Sequence, residues 1–354
     1  MSFVDRRPAS TGLAALALTA ALAGCAGPQA GGPSPQRPDF ARQAACSSLL
    51  PASHGGPMPE GDTAVLRWLG TSNYELAYRN TVVLMDTFYD RPARTRPLGF
   101  DVKDVRRADA ILIGHAHFDH ITDVAPVAAA TRAPVVGSAI TATTAQKLGV
   151  PAAQTVTVRG GETLRYGDVT VRPTHILHST IQPELIPALA NLYRADGLGP
   201  LTEAEERQSK ASSARGSWDP KIVTEGTMGF TLELPGGFNI TWFDSVGDIH
   251  PDERRLAAEL AGRMDVALFP WTPHPIAERQ LAYTFQHLEL FKPKLYVPTH
   301  HDHIWGVWLD NGLEPLFMKI RDELPGTRYA SPLYRSPICL STSGPTRGEF
   351  HVGR

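Results

Sequence analysis

Four side chains able to bind a metal ion stand within six residues: His115, His117, Asp119 and His120, in the run His115-Ala116-His117-Phe118-Asp119-His120. Imidazole nitrogen and carboxylate oxygen suit zinc and similar borderline divalent ions. Alternate residues His115 and His117 can face one position, while Asp119 and His120, after a reversal of the chain, can face a second. A turn has to present them. The preceding run Ala110-Ile111-Leu112-Ile113 closes at Gly114, which predicts a buried strand stopping abruptly at a strand-to-helix turn.

One such turn cannot fill two positions, so further ligands are expected at later strand ends. Three β-favouring runs end on residues of the right chemistry. Val169-Thr170-Val171-Arg172 leads through Pro173-Thr174 to His175 and His178. Phe238-Asn239-Ile240-Thr241-Trp242-Phe243 ends at Asp244, with Asp248 close behind. Lys294-Leu295-Tyr296-Val297 leads through Pro298-Thr299 to His300, His301, Asp302 and His303. A rigid sheet edge is the support that a site of this kind requires. On residue type alone, the choices between His175 and His178, between Asp244 and Asp248, and among His300, His301 and His303 stay open.

The His-x-His-x-Asp-His run resembles the motif of the metallo-β-lactamase superfamily, whose members are mostly dinuclear metallohydrolases. The resemblance covers residues 62–306. It looks most like the branch containing ascorbate 6-phosphate lactonase and N-acyl phosphatidylethanolamine phospholipase D, through Asp265-Val266-Ala267-Leu268-Phe269-Pro270 and Lys292-Pro293-Lys294 before Pro298-Thr299-His300. It implies an α/β fold, a four-layer αββα sandwich. It also implies a ligand set. His115, His117 and His178 would hold a first metal; Asp119, His120 and His300 a second; Asp244 would bridge both. Ser179 after His178 resembles the family's His-Ser pattern, Asp244-Ser245 resembles its Asp-Thr, and the Pro-x-His spacing selects His300.

The chemistry implied is hydrolysis by two divalent ions, with zinc expected, whose shared water has its pKa lowered toward about 7. The resulting bridging hydroxide would attack a carbonyl carbon or a phosphorus atom. Asp119 is a candidate catalytic residue that would orient it. His274 and His303 are candidates for substrate contact or general acid by proximity to the ligand strands, with Tyr296 and His175 behind them. Asp86 and Asp302 are candidates for fixing the ring nitrogens of the ligand histidines. Asp244, where many true zinc β-lactamases place a cysteine, speaks against β-lactam hydrolysis. Trp271-Thr272-Pro273-His274 replaces a glycine pair found in many relatives. The expected substrate is a small molecule or lipid of the phosphodiester/phospholipid-like or lactone/ester class. The alternative is a non-catalytic envelope lipoprotein using the fold as a binding module; loss of ligands would be its mark, and all seven positions are filled.

The rest of the chain must position these residues and deliver them to a compartment. Of its 354 residues 42% are hydrophobic, ample for a large core, and a net charge of −2 offers no broad basic surface for nucleic acid. Residues 1–24 read as a signal peptide: Arg6 and Arg7 precede an apolar stretch, 13–23, too short to span a bilayer. Leu22-Ala23-Gly24-Cys25 resembles a bacterial lipobox, which implies a lipid anchor at Cys25 and a place in the bacterial cell envelope. Residues 25–61 are expected to be a flexible tether, rich in Gly, Pro and Ser, and an N-terminal arm with a short helix over 40–50. Cys46 and Cys339 remain, and an exported chain often bridges such a pair.

The hydrolase domain is expected over 62–340, with a tail at 341–354. Predicted strands at 64–69, 74–78, 81–85, 134–137, 155–158, 169–172, 266–269 and 294–297 alternate with helices at 124–130, 141–148, 251–263, 278–291 and 313–324, and Pro235-Gly236-Gly237 predicts a hairpin between 228–234 and 238–243. Residues 181–221 break the pattern. They are expected to be a largely helical insertion beside the site, helix-like over 184–193, serving either as a lid or as a tolerated surface loop.

Overall fold

The runs that read as continuously apolar build two sheets packed face to face, each covered by helices on its outer side. A computed structural model describes residues 37–92, 94–180, 200–271, 277–302 and 312–353, and the chain from Arg37 onward forms one unit. The expected signal peptide and lipobox, the helix over 184–193, His274 and His303 lie outside the described residues.

The first sheet contains β1 (Thr63–Trp68), β2 (Tyr74–Tyr78), β3 (Thr81–Met85), β4 (Ala110–Leu112), β5 (Val135–Gly137), β6 (Thr155–Thr157), β14 (Pro337–Ser341) and β15 (Phe350–Val352) in the order β15-β14-β1-β2-β3-β4-β5-β6. The second contains β7 (Leu164–Tyr166), β8 (Val169–His175), β9 (Met228–Leu234), β10 (Phe238–Trp242), β11 (Met264–Pro270), β12 (Leu295–Thr299) and β13 (Arg328–Tyr329) in the order β13-β12-β11-β10-β9-β8-β7. The period of two along each strand splits its side chains between layers. Leu66, Trp68, Leu76, Val83, Ile240, Trp242, Val266 and Leu268 meet in the core between the sheets. Val65, Val82, Leu84 and Ile111 pack outward with the helix Val124–Thr131. Ala267 and Phe269 pack outward with the helices Pro251–Glu259, Ala277–Phe291 and Glu314–Glu323. This is the expected αββα sandwich. Burial on both faces goes with the continuous apolar runs 82–85 of β3 and 266–269 of β11, whereas β9 and β10 alternate, with Thr231, Glu233, Asn239 and Thr241 between the residues of the inter-sheet core. Among the described residues no helix is long and apolar enough to cross a membrane.

Over residues 37–61 the arm expected beyond the tether packs on the domain: its α-helix is shorter than the expected 40–50, only Ala44–Ser47, and Cys46 is joined to Cys339 of β14 by a disulfide with a Cα separation of 5.9 Å. The fully buried pair Arg67–Glu75 (3.4 Å) receives it. Arg67 donates to the carbonyls of Ala45 (2.6 Å) and Ser48 (3.2 Å), and Glu75 accepts the N–H groups of Ala52 (2.9 Å) and Ser53 (2.7 Å). Two buried charges are thus satisfied by the backbone of the arm. The residues expected as a tail instead supply β15, which pairs antiparallel with β14 and covers a strand that would otherwise be an edge.

Strand β8 continues through Pro173. Its neighbour β7 stops opposite Val171, so the missing N–H breaks no ladder on that side. In the insertion, a helix forms at Glu203–Ser213, in the half expected to be irregular. A capping box of Thr202 and Glu205 starts it, and Glu205 pairs with Arg94 at 2.8 Å. Only Ser212 of that helix is buried, so it has no apolar stripe for a sequence reading to detect.

Candidate metal centre

Strands β3, β4, β8, β10 and β12 end at one side of the sandwich, and the ligand candidates converge there. Gly114 closes β4 because nothing larger fits: a Cβ there would lie 2.0 Å from the Asp244 carboxylate carbon. Its carbonyl accepts the Met228 N–H at 2.8 Å, tying the two sheets together at this point. The backbone is extended through His117 and then enters the short helix Phe118–Ile121. That is the reversal that sends Asp119 and His120 toward a second position.

Two triads result. His115, His117 and His178 form one, and Asp119, His120 and His300 the other; within each, one ligand atom per residue lies within 4.8 Å of the rest. In the first, His115 Nε2 is 2.9 Å from His117 Nδ1, and the His178 ring stands 4.6 and 4.8 Å from those of His115 and His117. In the second, Asp119 Oδ2 lies 3.1 Å from His300 Nε2 and 3.3 Å from His120 Nε2. Asp244 lies between the triads, with Oδ2 2.7 Å from His115 Nδ1 and 3.4 Å from His120 Nδ1. Its other oxygen, Oδ1, is buried with no hydrogen-bond partner among the described residues.

The remaining ring nitrogens fix the tautomers. His115 Nδ1 faces Asp244, His120 Nδ1 faces Asp86 Oδ2 at 2.6 Å, and His178 Nδ1 faces the Ser179 carbonyl at 2.6 Å. A nitrogen against an acceptor oxygen carries the proton, so His115 and His178 turn an Nε2 lone pair toward the cluster, while His120 Nε2 turns inward to face Asp119 Oδ2 at 3.3 Å. Asp86 holds its place in the left-handed region (φ 58°) and accepts the Gly114 N–H at 3.1 Å. His300 is also left-handed (φ 55°) and donates its N–H to the Thr71 carbonyl at 2.8 Å.

A family model described as beta-lactamase superfamily domain matches residues 81–192. A metal-dependent hydrolase of Pyrobaculum islandicum is 35% identical over 116 residues, which is 32% of this chain and 50% of that protein; the chain thus spans about half the length of this relative. A metal-dependent hydrolase of Cupriavidus necator is 26% identical over 266 residues, 73% of this chain and 82% of that one. The structure of Igni18, a metallo hydrolase from the archaeon Ignicoccus hospitalis, superposes with a TM-score of 0.55 at 15% identity, over 78% of this chain and 98% of that chain, and shows the same fold. Over residues 81–192 the chain is thus similar to the beta-lactamase superfamily domain, and these curated relatives are metal-dependent hydrolases.

Within the cluster, burial sets the charge states. It lowers the His117 and His178 imidazoles to about 3 and His115 well below its usual range, so all three are neutral donors at neutral pH. Burial also raises the Asp86 carboxyl to about 7, against the pull of His120, and raises Asp244. Burial works against protonation of His120, yet Asp119, Asp86 and Asp244 together hold its imidazole well above the usual range. Three buried carboxylates therefore share one site with a single strongly favoured proton, which is an environment short of positive charge.

Other candidates fall elsewhere. His175 binds the Thr224 carbonyl (2.8 Å) and packs its ring 4.3 Å from His250, outside the two triads. Asp248 is exposed. His301 stacks on Trp68 at 4.0 Å. Tyr296 is fully buried with its hydroxyl on the Phe269 carbonyl (3.2 Å), so it cannot meet a substrate. Asp302 does not orient a ligand histidine. It accepts the Thr71 N–H (2.9 Å), Arg91 (2.8 Å) and the Tyr334 hydroxyl (2.5 Å), and so pins the loop that carries His300.

The reading of the sequence passed over the β1–β2 turn. Thr71 holds His300 and Asp302, the Ser72 hydroxyl donates to the Asp244 carbonyl (3.3 Å), and the Asn73 side chain exchanges hydrogen bonds with the backbone of Phe88 (3.1 and 2.8 Å). One turn thus touches three of the loops that carry the cluster. Its sequence signal is Gly70 followed by three polar residues between apolar strands, all of them fully buried.

Proposed function

We propose that this protein is a metal-dependent hydrolase in which His115, His117 and His178 hold one divalent ion, Asp119, His120 and His300 hold a second, and Asp244 bridges them. The observation that carries the reading is the Asp244 carboxylate: fully buried, set between two ligand triads, with Oδ1 lacking a partner among the described residues. A carboxylate in that state costs several kcal/mol unless a cation meets it. The donor set, imidazole and carboxylate, suits zinc, which is the ion we expect. Two divalent ions in such a site supply Lewis acidity toward the scissile group and acidify water.

The chain's own residues do the rest. His117 and His178 are neutral at physiological pH, so binding displaces no proton from them. Asp86 and the Ser179 carbonyl keep the rings of His120 and His178 from rotating. Asp119 presents a carboxylate oxygen on the side of the second triad, where it can accept a proton from a water nucleophile and hold its lone pair toward the substrate. We propose a carboxylic ester, lactone, phosphodiester or phospholipid as substrate, and a place in the bacterial cell envelope through a lipid on Cys25.

The test is a metal analysis followed by a substrate screen. Purified protein should carry two ions per chain, and should hydrolyse a member of a panel of lactones, thioesters, phosphodiesters and phospholipids in a manner abolished by chelation and restored by zinc. Protein that binds no ion, or that binds two and turns over nothing in the panel, would fit a binding module instead.

A further inference from the structure

Of the seven clustered residues, five are buried, and only His117 and His178 are partly open to solvent. A substrate therefore reaches the cluster from the side of the first triad. Trp218 stands on that side. It is 59% exposed, and its ring lies 5.4 Å from that of His117 and 6.1 Å from that of Phe118, inclined to both by about a third of a right angle (34° and 33°).

A single exposed apolar side chain needs no explanation by itself. Four features set this one apart. The segment that carries it lies against the ligand turn: the Ser217 N–H donates to the Ala116 carbonyl at 2.7 Å. A Cβ on Gly216 would stand 2.3 Å from the Phe118 nitrogen, so only glycine allows that approach. Arg215 fastens the same segment from the other side, through Asp90 (2.7 Å) and Asp123 (3.5 Å). The indole N–H donates to the Ser213 carbonyl at 3.3 Å, which sets the orientation of the ring. The chain thus holds a large flat apolar surface rigid and wet at the entrance to the cluster.

We infer that Trp218 is a wall of the substrate site and receives a hydrocarbon chain or ring attached next to the scissile carbonyl or phosphoryl group. The inference rests on the proposed site and deepens it by naming what the substrate carries. Covering the indole removes apolar surface from water on both partners, and the ring gives up little conformational freedom because it is already fixed. The carbonyl or phosphoryl group would lie over the triads while the hydrocarbon lies along the indole. Substrates lacking the hydrocarbon forgo this contact and no other.

Chain-length preference tests this. With metal-loaded full-length protein, kcat/KM is measured for p-nitrophenyl octanoate and acetate, and for octyl and methyl p-nitrophenyl phosphate. Trp218→Ala should lower the long-to-short ratio about tenfold, the lower end of what a pocket contact of methylene size contributes. Trp218→Phe should restore most of it. The ratio cancels any change in metal content common to both substrates. A ratio unchanged in Trp218→Ala overturns the inference. If wild-type protein holds two ions yet hydrolyses none of these compounds, the hydrolase reading loses its support, and Kd values for octanehydroxamate and acetohydroxamate decide the wall separately. A long-to-short Kd ratio shifted about tenfold in Trp218→Ala supports it; an equal ratio in both proteins overturns it.

Discussion

Asp244 carries the largest consequence at the scale of single residues. It touches His115 and His120 from one oxygen and leaves the other buried with no partner among the described residues. Asp244→Ala should therefore reduce bound metal from two ions toward one or none, together with any hydrolytic rate. Asp248→Ala, at an exposed position, should leave two ions bound. Elemental analysis of both variants checks this, and two ions retained in Asp244→Ala would remove the bridging role. The histidines make a second prediction, on the metal-free protein. His117 and His178 have folded values of about 3 against about 6.5 in an unfolded chain. Between those values the unfolded chain binds protons that the folded one refuses. The stability they contribute is full above pH 6.5 and declines as pH falls below it. Asp86, raised to about 7, acts in the opposite sense, as do Asp244, Asp123 and His120, all raised, but His115, His301, His54 and His250 join the lowered histidines and outnumber them. The urea midpoint of metal-free protein should be lower at pH 5 than at pH 7.5; a midpoint equal or higher at pH 5 would contradict the burial of these rings.

Among the elements, the N-terminal arm and β14 depend on one covalent link. Cys46 and Cys339 are 293 residues apart in sequence, and closing so long a loop restricts the unfolded chain substantially. Cys46→Ser with Cys339→Ser should cost about 2–5 kcal/mol, seen as a lowered denaturation midpoint that reducing agent does not lower further. Equal midpoints for the variant and the oxidised wild type would mean that the bond adds nothing. The elements also show where sequence patterns suffice. Runs such as 228–234 and 238–243 announce themselves, because apolar residues recur at every second position on either side of a Pro-Gly-Gly turn. The short strands β7, β13 and β15 span three, two and three residues. Their only signature is the neighbour they pair with. The helix Glu203–Ser213 escaped for a related reason: it is held by a capping box and an ion pair rather than by an apolar stripe.

For the whole molecule, the proposed lipid anchor is the outermost prediction. Leu22-Ala23-Gly24-Cys25 matches a lipobox, so Cys25→Ser should move the protein from the membrane fraction to the soluble fraction of its native host. Wild-type protein already soluble and carrying no lipid would refute the envelope assignment. An apolar wall at Trp218 and a membrane anchor are compatible, since a lipid-like substrate would be presented at the surface where the domain is held, but each stands or falls on its own measurement.

The ligand types and their order along the chain were determined by sequence alone. His115, His117, Asp119 and His120 stand in one local turn whose geometry follows from a strand, a glycine and a short helix, and local geometry is what a sequence encodes most directly. His178, Asp244 and His300 needed the resemblance to select them from His175, Asp248 and His301, because strand ends bring several polar residues near one edge and sequence spacing does not say which will turn inward. Only the tertiary structure decided that. Asp244 turns inward because Gly114, on the opposite sheet, leaves room for its carboxylate, and His300 because Thr71, 229 residues away, accepts its N–H and donates to Asp302 of the same loop. The role of Asp302 as a loop anchor, the β1–β2 turn that touches three loops of the site, and Trp218 beside His117 share one cause. Each is a contact between segments distant in sequence, and such contacts exist only once the two sheets have packed.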